Sequence, residues 1–430
     1  MATVAPFCGI RYKSNNLSRL ICPPYDIVSA ARKRELLAHS KDNFISVELP
    51  MPFPSSPSQK IKNLPGSSRA PYIAAARVFK NMLSGNILAR DPDSYYVYTQ
   101  KFGVGSKKFR RDGLMAAVRL EDPRRGDIYP HEKILPKAIR DRELLLDAAQ
   151  AATSPVFFLV ASEDFGSFMK KIRNRSRLVS RAVLDGVTHE LSILNPPADF
   201  VAEYFRAKRL YIADGHHRYD VALRHSRRSR NPSAGYTLGF IAGAFERGVV
   251  VLPTHRIAPV PVDIMSRIRS FDLISAAQFN RLARLASCGR RPQPLKIRFR
   301  RRTMCLALKN ARAIKGKSDA PRSLAFMASA VASTTLLAGI APDQMRYTSS
   351  EREAVRAADK ENKLAVIFPP PPMKSIIDVS NHKSYMPQKS TYFYPKAYAG
   401  LVIYPFDKNR VDAHISLKIQ TIEKVSKMSP

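Results

Sequence analysis

The chain has 430 residues, of which 45% are hydrophobic and 25% charged, so it has the composition of a folded globular protein and not of a disordered one. Lysine and arginine number 71 against 35 acidic residues, and the net charge of +36 requires counter-ions such as nucleic acid, phosphorylated ligands, an anionic surface or a salty cytoplasm. The four cysteines lack the spacing of a disulfide framework or a structural zinc site, which excludes both classes.

The first part of the chain predicts a mixture of helices and strands. After a stiff turn at residues 23–26, Ser29 is expected to cap a helix over residues 30–37. Residues 44–49 are typical of a strand, and the Pro/Ser-rich stretch at 50–70 predicts a surface loop. The further predicted elements are a helix at 71–83, strands at 94–100 and 114–120, a helix at 141–152 and a strand at 155–160.

The middle of the chain continues this pattern. A strand over residues 210–213 is followed by a helix over 216–228 and by strands at 238–244 and 249–252. The predicted class is therefore α/β, with α+β as the alternative. The uncharged segment 323–342 is rich in Ala, Ser and Thr, which favours a buried core helix over a membrane span. No secretory signal is visible, so we expect a soluble, cytoplasmic protein.

Charge and composition suggest three regions: a core at 1–264, a basic sublobe at 265–322, and a C-terminal segment at 323–430 that packs back on the core. The basic sublobe holds sixteen lysines and arginines against two aspartates, a net charge of +14. Nucleic acid is therefore a candidate partner for residues 265–322. The sublobe has few aromatic residues for stacking on bases, which argues against that partner.

The most informative local feature is the turn that contains Asp214, Gly215, His216, His217 and Arg218, where a predicted strand gives way to a helix. The helix N-terminus and the Arg218 guanidinium suit phosphate or carboxylate oxygens. Asp214 can bind Mg²⁺ or accept a hydroxyl proton, and His217 can transfer a proton or contact phosphate. In the alternative, structural interpretation, Asp214 is an N-cap, the histidines lie on the surface and Arg218 forms a helix salt bridge.

Two further segments are candidates for the same chemistry. His131, Glu132 and Lys133 can supply a base and a phosphate-binding ammonium, although solvated loop charge is the alternative. No second histidine follows at the spacing of a zinc protease motif. The stretch 386–396, which includes Lys389, could cover a ligand, although its aromatic residues are typical of a core strand.

Four segments, at 22–26, 130–133, 213–219 and 386–396, resemble in sequence and order a conserved family known as domain of unknown function 1015. The resemblance extends from about residue 6 to about residue 405. It names no reaction by itself. The turn at 214–218 also resembles that of the ParB/sulfiredoxin superfamily, which implies a mixed-sheet core with large insertions. Sulfiredoxins carry a catalytic cysteine where this chain has His216, so sulfiredoxin chemistry is not expected.

Within that superfamily, the Asp-Gly-His-His-Arg sequence is similar to that of the free-serine kinases. The resemblance implies that Gly215, His216, His217 and Arg218 hold the phosphates of ATP or ADP with Mg²⁺, with Asp214 at the metal. Glu132 or Asp26 would accept the proton of the hydroxyl substrate, and Lys133 and Lys389 would assist phosphate binding. The predicted function is a nucleotide-dependent phosphotransferase that acts on a small hydroxyl substrate such as free L-serine. The alternative is a non-catalytic nucleotide- or nucleic-acid-binding regulator of ParB-like type.

Overall fold

A computed structural model of the protein describes residues 2–50, 69–133, 136–287, 292–309 and 327–407. The helices within these ranges are α1 (Ala30–His39), α2 (Ile45–Glu48), α3 (Ala70–Ser84), α4 (Pro136–Ala149), α5 (Phe165–Arg175), α6 (Asp199–Phe205), α7 (His216–Arg228), α8 (Ile264–Ile268), α9 (Ala276–Ala286), α10 (Ala328–Thr334), α11 (Glu351–Glu361) and α12 (Met373–Asn381).

The strands within the same ranges are β1 (Val4–Ala5), β2 (Ile10–Tyr12), β3 (Leu88–Arg90), β4 (Tyr95–Val104), β5 (Lys107–Arg119), β6 (Ile128–Tyr129), β7 (Ala151–Ala152), β8 (Val156–Val160), β9 (Arg177–Leu184), β10 (Val187–Leu194), β11 (Leu210–Asp214), β12 (Tyr236–Gly243), β13 (Val250–Leu252), β14 (His255–Ala258), β15 (Phe271–Ile274), β16 (Leu295–Phe299), β17 (Arg302–Leu308), β18 (Arg346–Thr348), β19 (Leu364–Ile367), β20 (Tyr392–Tyr394) and β21 (Tyr404–Pro405).

The chain forms two compact units. Unit 1 comprises Met1–Ile128, Ile134–Gly248 and Pro395–Pro430, and unit 2 comprises Tyr129–Lys133 and Val249–Tyr394. These boundaries differ from those expected at 264/265 and 322/323. The division into 1–264, 265–322 and 323–430 stays a prediction.

Unit 1 is built on a mixed sheet in the order β6-β11-β8-β12-β5-β4-β10-β9, with β1 added beside β5. The pair β8–β12 is parallel, whereas β11–β8 and β12–β5 are antiparallel. All five residues of β8 are buried, because a central strand covered on both faces needs apolar side chains on both. Phe158 and Ile212 belong to the core of this unit, so the end of β11 is held on a rigid support.

Unit 2 is built on an antiparallel sheet in the order β15-β17-β16-β19-β14-β18. Successive residues of β19 face opposite sides, as in any strand. Val366 packs in a cluster with α8 and α10, whereas Ala365 and Ile367 pack against the alanines of α11. Helices therefore cover both faces of this sheet.

The α/β expectation is confirmed, as are the helices predicted at 30–37, 71–83 and 216–228. Ser29 caps α1 by accepting a hydrogen bond from the Arg32 amide at 3.2 Å. The strand predicted at 44–49 is wrong, because this stretch forms α2. There the Asn43 side-chain oxygen accepts from the Ile45 amide at 2.9 Å, which starts a helical turn.

Two other predictions fall partly on residues that the structure does not describe. Residues 51–68 of the loop predicted at 50–70 lie outside the described residues, as do 288–291 and 310–322 of the basic sublobe. In segment 323–342, residues 327–342 are described, and Ala328–Ala332 of α10 are buried as expected of a core helix. Within the described residues, no helix has the length and apolar character needed to cross a bilayer.

Candidate functional site

The strand-to-helix turn predicted from the sequence is present in unit 1. Strand β11 ends at Asp214, and α7 begins at His216. Gly215 joins them with φ of 89°, a left-handed conformation that favours glycine. A β-carbon added at Gly215 would lie 3.0 Å from the Arg218 guanidinium nitrogen Nε. The missing side chain therefore lets Arg218 fold back over the turn.

Asp214 is held between two cations at this turn. One carboxylate oxygen accepts from Arg218 Nη2 at 2.7 Å, and the other accepts from the ammonium of Lys396. All three side chains are largely buried. Burial alone would raise the pKa of Asp214, but Lys396 and Arg218 outweigh burial and hold this pKa well below its ordinary value. Asp214 is therefore ionised, and its two partners leave one excess positive charge at the N-terminus of α7.

The backbone that carries Lys396 is fixed by a buried polar pair. Gln100 donates from its side-chain nitrogen to the Lys396 carbonyl at 2.9 Å and accepts from Arg111 Nε at 2.9 Å. Arg111 also donates to the Pro395 carbonyl and lies 4.8 Å from the centre of the Phe157 ring. Burial lowers the pKa of Arg111 to about 10, so its guanidinium remains charged at neutral pH. Arg111 and Gln100 are therefore positioning residues for the Lys396 ammonium.

A second buried ion pair lies in the same unit. Glu48 is fully buried and accepts from Arg142 at 3.2 Å, from Thr153 at 2.8 Å and from Ser154 at 3.0 Å. The Arg142 guanidinium lies 4.0 Å from the centre of the Tyr25 ring. This network connects the 22–26 segment to α4 and to the residues before β8.

The phenol of Tyr25 interacts electrostatically with Asp26 and with Arg218 of the turn. Burial raises the pKa of the Tyr25 phenol to about 12; Arg142 and Arg218 lower it, and Asp26 raises it. Arg142 and Arg218 also line one cavity of about 30 Å³, with Thr153, Ser154 and Thr237 among the other lining residues. The cavity therefore presents two guanidiniums and three hydroxyl groups among apolar side chains, and its volume suits an ordered water.

Two predicted segments meet in unit 2. The Met386 amide donates to the His131 carbonyl at 2.8 Å, and Glu132 and Met386 form a parallel bridge. The Thr391 hydroxyl lies 3.0 Å from His131 Nε2 and donates to Glu132 at 3.3 Å. His131 is buried, whereas Glu132 is half-buried. Thr391 therefore orients both side chains of the 130–133 segment.

The predicted site residues lie in both units. Asp26, Asp214, Gly215, His216, His217 and Arg218 lie in unit 1, while Glu132, Lys133 and Lys389 lie in unit 2. Asp26, Lys133 and Lys389 are exposed, His216 is buried, and His217 is half-buried in the first turn of α7. Of the two lysines in segment 386–396, Lys396 rather than Lys389 contacts Asp214.

The nucleotide phosphates and the magnesium ion predicted for this site differ in how well they fit it. The N-terminus of α7 with Arg218 has the chemistry of a phosphate site. Magnesium prefers carboxylate oxygens and water, but both oxygens of Asp214 already accept from cations. Across the described residues, no cluster of three metal-binding side chains occurs. Asp214 as arranged here does not fit a magnesium ligand.

Several residues of this site were not predicted from the sequence. Arg111, Gln100 and Glu48 sit in segments without a recognisable motif, and their partners are distant in sequence. Glu48 and Arg142 are 94 positions apart, and Asp214 and Lys396 are 182 apart. The only local signal for Lys396 was its place at the end of the predicted segment 386–396.

No curated protein matched. A free serine kinase in complex with ADP is 11% identical, with a TM-score of 0.35 over 65% of this chain and 87% of that one. A conserved hypothetical protein from Pyrococcus furiosus is 13% identical, with a TM-score of 0.34 over 66% of this chain and 93% of that one.

SbnI from Staphylococcus aureus, in a C-terminally truncated form, is 10% identical, with a TM-score of 0.39 over 73% of this chain and 97% of that one. These low TM-scores carry no argument about activity. The family comparison is different in kind, since one family model, described as protein of unknown function (DUF1015), matches residues 4–318, well over half of the chain. The chain therefore belongs to the DUF1015 family.

Proposed function

We propose that this protein is a nucleotide-dependent phosphotransferase that acts on a small hydroxyl substrate, with free L-serine as the first candidate. One observation carries the proposal: Asp214 is held between Arg218 and Lys396 at the N-terminus of α7, which leaves an excess positive charge at the positive end of the helix dipole. The similarity of residues 214–218 to the turn of free-serine kinases supports the same assignment.

In the proposed reaction, the substrate hydroxyl oxygen bonds to the terminal phosphorus of the nucleotide while the bond from that phosphorus to the bridging oxygen breaks. ATP would leave as ADP, or ADP as AMP, and the hydroxyl proton would pass to a carboxylate. Catalysis of this kind depends mainly on positioning and on neutralising phosphate charge. Arg218 and Lys396 supply charge, and His217, in the first turn of α7, would contact the transferred group.

Two carboxylates compete for the role of base. Asp26 is exposed and belongs to unit 1, and it affects the same Tyr25 phenol as Arg218 does. Glu132 is half-buried and is oriented by Thr391. The variants Asp26→Asn and Glu132→Gln distinguish them. Replacement of the base should lower kcat by about 100-fold or more and leave the affinity for the nucleotide unchanged.

The test incubates the full chain with ATP or ADP, Mg²⁺ and a panel of hydroxy amino acids, and detects products by mass spectrometry. We expect one phosphorylated amino acid and stoichiometric loss of the nucleotide's terminal phosphate. Asp214→Asn should abolish turnover, whereas the control Asp220→Asn, on the same helix and paired with Arg224, should retain it. Nucleotide binding without any product would overturn the kinase and favour the non-catalytic regulator, and absence of both would overturn the phosphate site.

A further inference from the structure

Unit 2 carries a basic groove, and none of the residues that line it belongs to the proposed phosphotransfer site. The groove measures about 700 Å³ and is lined by Arg301, Arg352, Val355, Arg356, Asp359 and Lys360. We propose that this groove binds the phosphate backbone of a nucleic acid without reading its bases. The proposal does not depend on phosphoryl transfer.

The cations of the groove form a regular stripe. Arg352, Arg356 and Lys360 follow one another at intervals of four residues on α11, and all three are exposed. Such spacing places side chains on one helix face. At about 1.5 Å per residue the stripe is about 12 Å long. Since duplex DNA carries one phosphate per about 3.4 Å of helix axis on each strand, a stripe of this length spans a few phosphates of one strand.

The acidic residues of α11 do not neutralise this stripe. Within the described part of the chain, Arg301, Arg352, Arg356 and Lys360 have no carboxylate within 4 Å, whereas every carboxylate of α11 has a partner. The pairs are Glu351 with Lys296, Glu353 with the Thr348 hydroxyl, Asp359 with Arg298, and Glu361 with both Arg346 and Lys363. The groove therefore has an unbalanced positive charge that a polyanion would balance.

The hairpin that supplies Arg301 points to the same conclusion. Strands β16 and β17 are joined by the two residues Arg300 and Arg301, with φ of 48° and 58°. A two-residue turn with left-handed φ at both positions favours asparagine and glycine. Two arginines at this tip add charge at a position where local conformation disfavours them, which is expected where the charge itself is needed.

The lining favours a nucleic acid over a membrane. The apolar residues Ala354, Ala357 and Ala358 of α11 are buried against the sheet, so they are not available to insert into a bilayer. Among the described residues that line the groove, Val355 is the one apolar residue and none is aromatic. Since this lining offers cations for phosphates and no aromatic platform for bases, binding would depend on the phosphate backbone, which carries no sequence information.

The experiment measures binding of a fluorescein-labelled 20-base-pair DNA duplex to the full chain by fluorescence anisotropy between 25 and 200 mM KCl. Four phosphate contacts predict a slope of log K against log salt of about −3.6 from the groove. The variant R352Q/R356Q/K360Q should lower the magnitude of the wild-type slope by about 2.7 and weaken binding by about 100-fold or more at 0.1 M salt. Circular dichroism should show that this variant is folded.

The matched control is K107Q/K108Q/K170Q, which removes three exposed cations of unit 1 and changes the net charge equally. Retention of the wild-type slope in the control supports the groove. Equal losses in both triple variants would overturn the proposal, because the overall charge of +36 would then account for binding. Absence of DNA binding by the wild type at 25 mM salt would overturn the proposal too. So would a groove variant that no longer binds vesicles of anionic phospholipid but binds DNA as the wild type does.

Discussion

Replacement of Lys396 by methionine tests the buried charge cluster most sharply. Lys396 is 8% exposed and its ammonium contacts Asp214, so Lys396→Met leaves a buried carboxylate with one cation fewer. Loss of one member of a buried ion pair costs about 3–5 kcal/mol of unfolding free energy. Because Arg218 still contacts Asp214 at 2.7 Å, we expect the lower end, about 3 kcal/mol.

The pH dependence of this loss has a defined sign. The pKa of folded Asp214 lies below its ordinary value of about 3.9, so its contribution to stability is present above that value and is lost as the pH falls through the folded pKa. Lys396→Met raises the folded pKa. The deficit of the variant should therefore be largest above about pH 5 and should shrink below about pH 4.

Urea denaturation followed by circular dichroism measures both effects. The control is Lys389→Met, the same change at an exposed lysine of the same segment, with an expected effect within about 0.5 kcal/mol. Equal stability of Lys396→Met and the wild type at pH 7, or a deficit that does not change with pH, would show that the charge of Lys396 does not stabilise Asp214.

Three further outcomes are expected. Gly215→Ala should lower the free energy of unfolding by about 1–2 kcal/mol, because φ is 89° and Arg218 lies close. Gly235→Ala, whose added β-carbon meets no atom within 4 Å, should leave the free energy of unfolding unchanged. Equal effects of the two substitutions would contradict this prediction. Glu48→Gln should cost about 3 kcal/mol in urea denaturation, because it leaves the buried Arg142 guanidinium without the charge of Glu48. Glu35→Gln, at an exposed position, should leave stability unchanged. The Cys22 thiol, whose pKa burial raises well above its ordinary value, should resist iodoacetamide at pH 8 until urea unfolds the chain, as followed by mass spectrometry; rapid labelling of the native protein would contradict its burial.

Local patterns were sufficient for much of the fold. The cap at Ser29 and the periodicity of 216–228 are short-range signals, and the helices formed where these signals placed them. The 44–49 segment failed because β-branched residues favour a strand, whereas Asn43 starts a helical turn and Glu48 is held by Arg142 in the core. Tertiary contacts overrode the local preference there.

The candidate site divides in the same way. The turn at 214–218 was recognisable because strand, glycine and helix are adjacent in sequence. The contact of Lys396 with Asp214 could not be predicted, because the two residues are 182 positions apart. Lys389 lies in the same segment and has the same side chain, so the sequence alone did not distinguish the two lysines. Arg111 was missed because its role depends on Gln100 and on the backbone of Pro395, which only the folded chain brings together.

Calorimetric titration with ADP tests most directly whether the turn at Gly215–Arg218 binds nucleotide phosphates. The wild type is compared with Arg218→Met and with Arg224→Met, an exposed arginine of the same helix that pairs with Asp220. We expect ADP to bind the wild type and Arg224→Met, and to bind Arg218→Met with an affinity lower by about 10-fold or more, because a charge-assisted hydrogen bond is lost. Equal affinities in all three proteins, or no binding to the wild type, would contradict it.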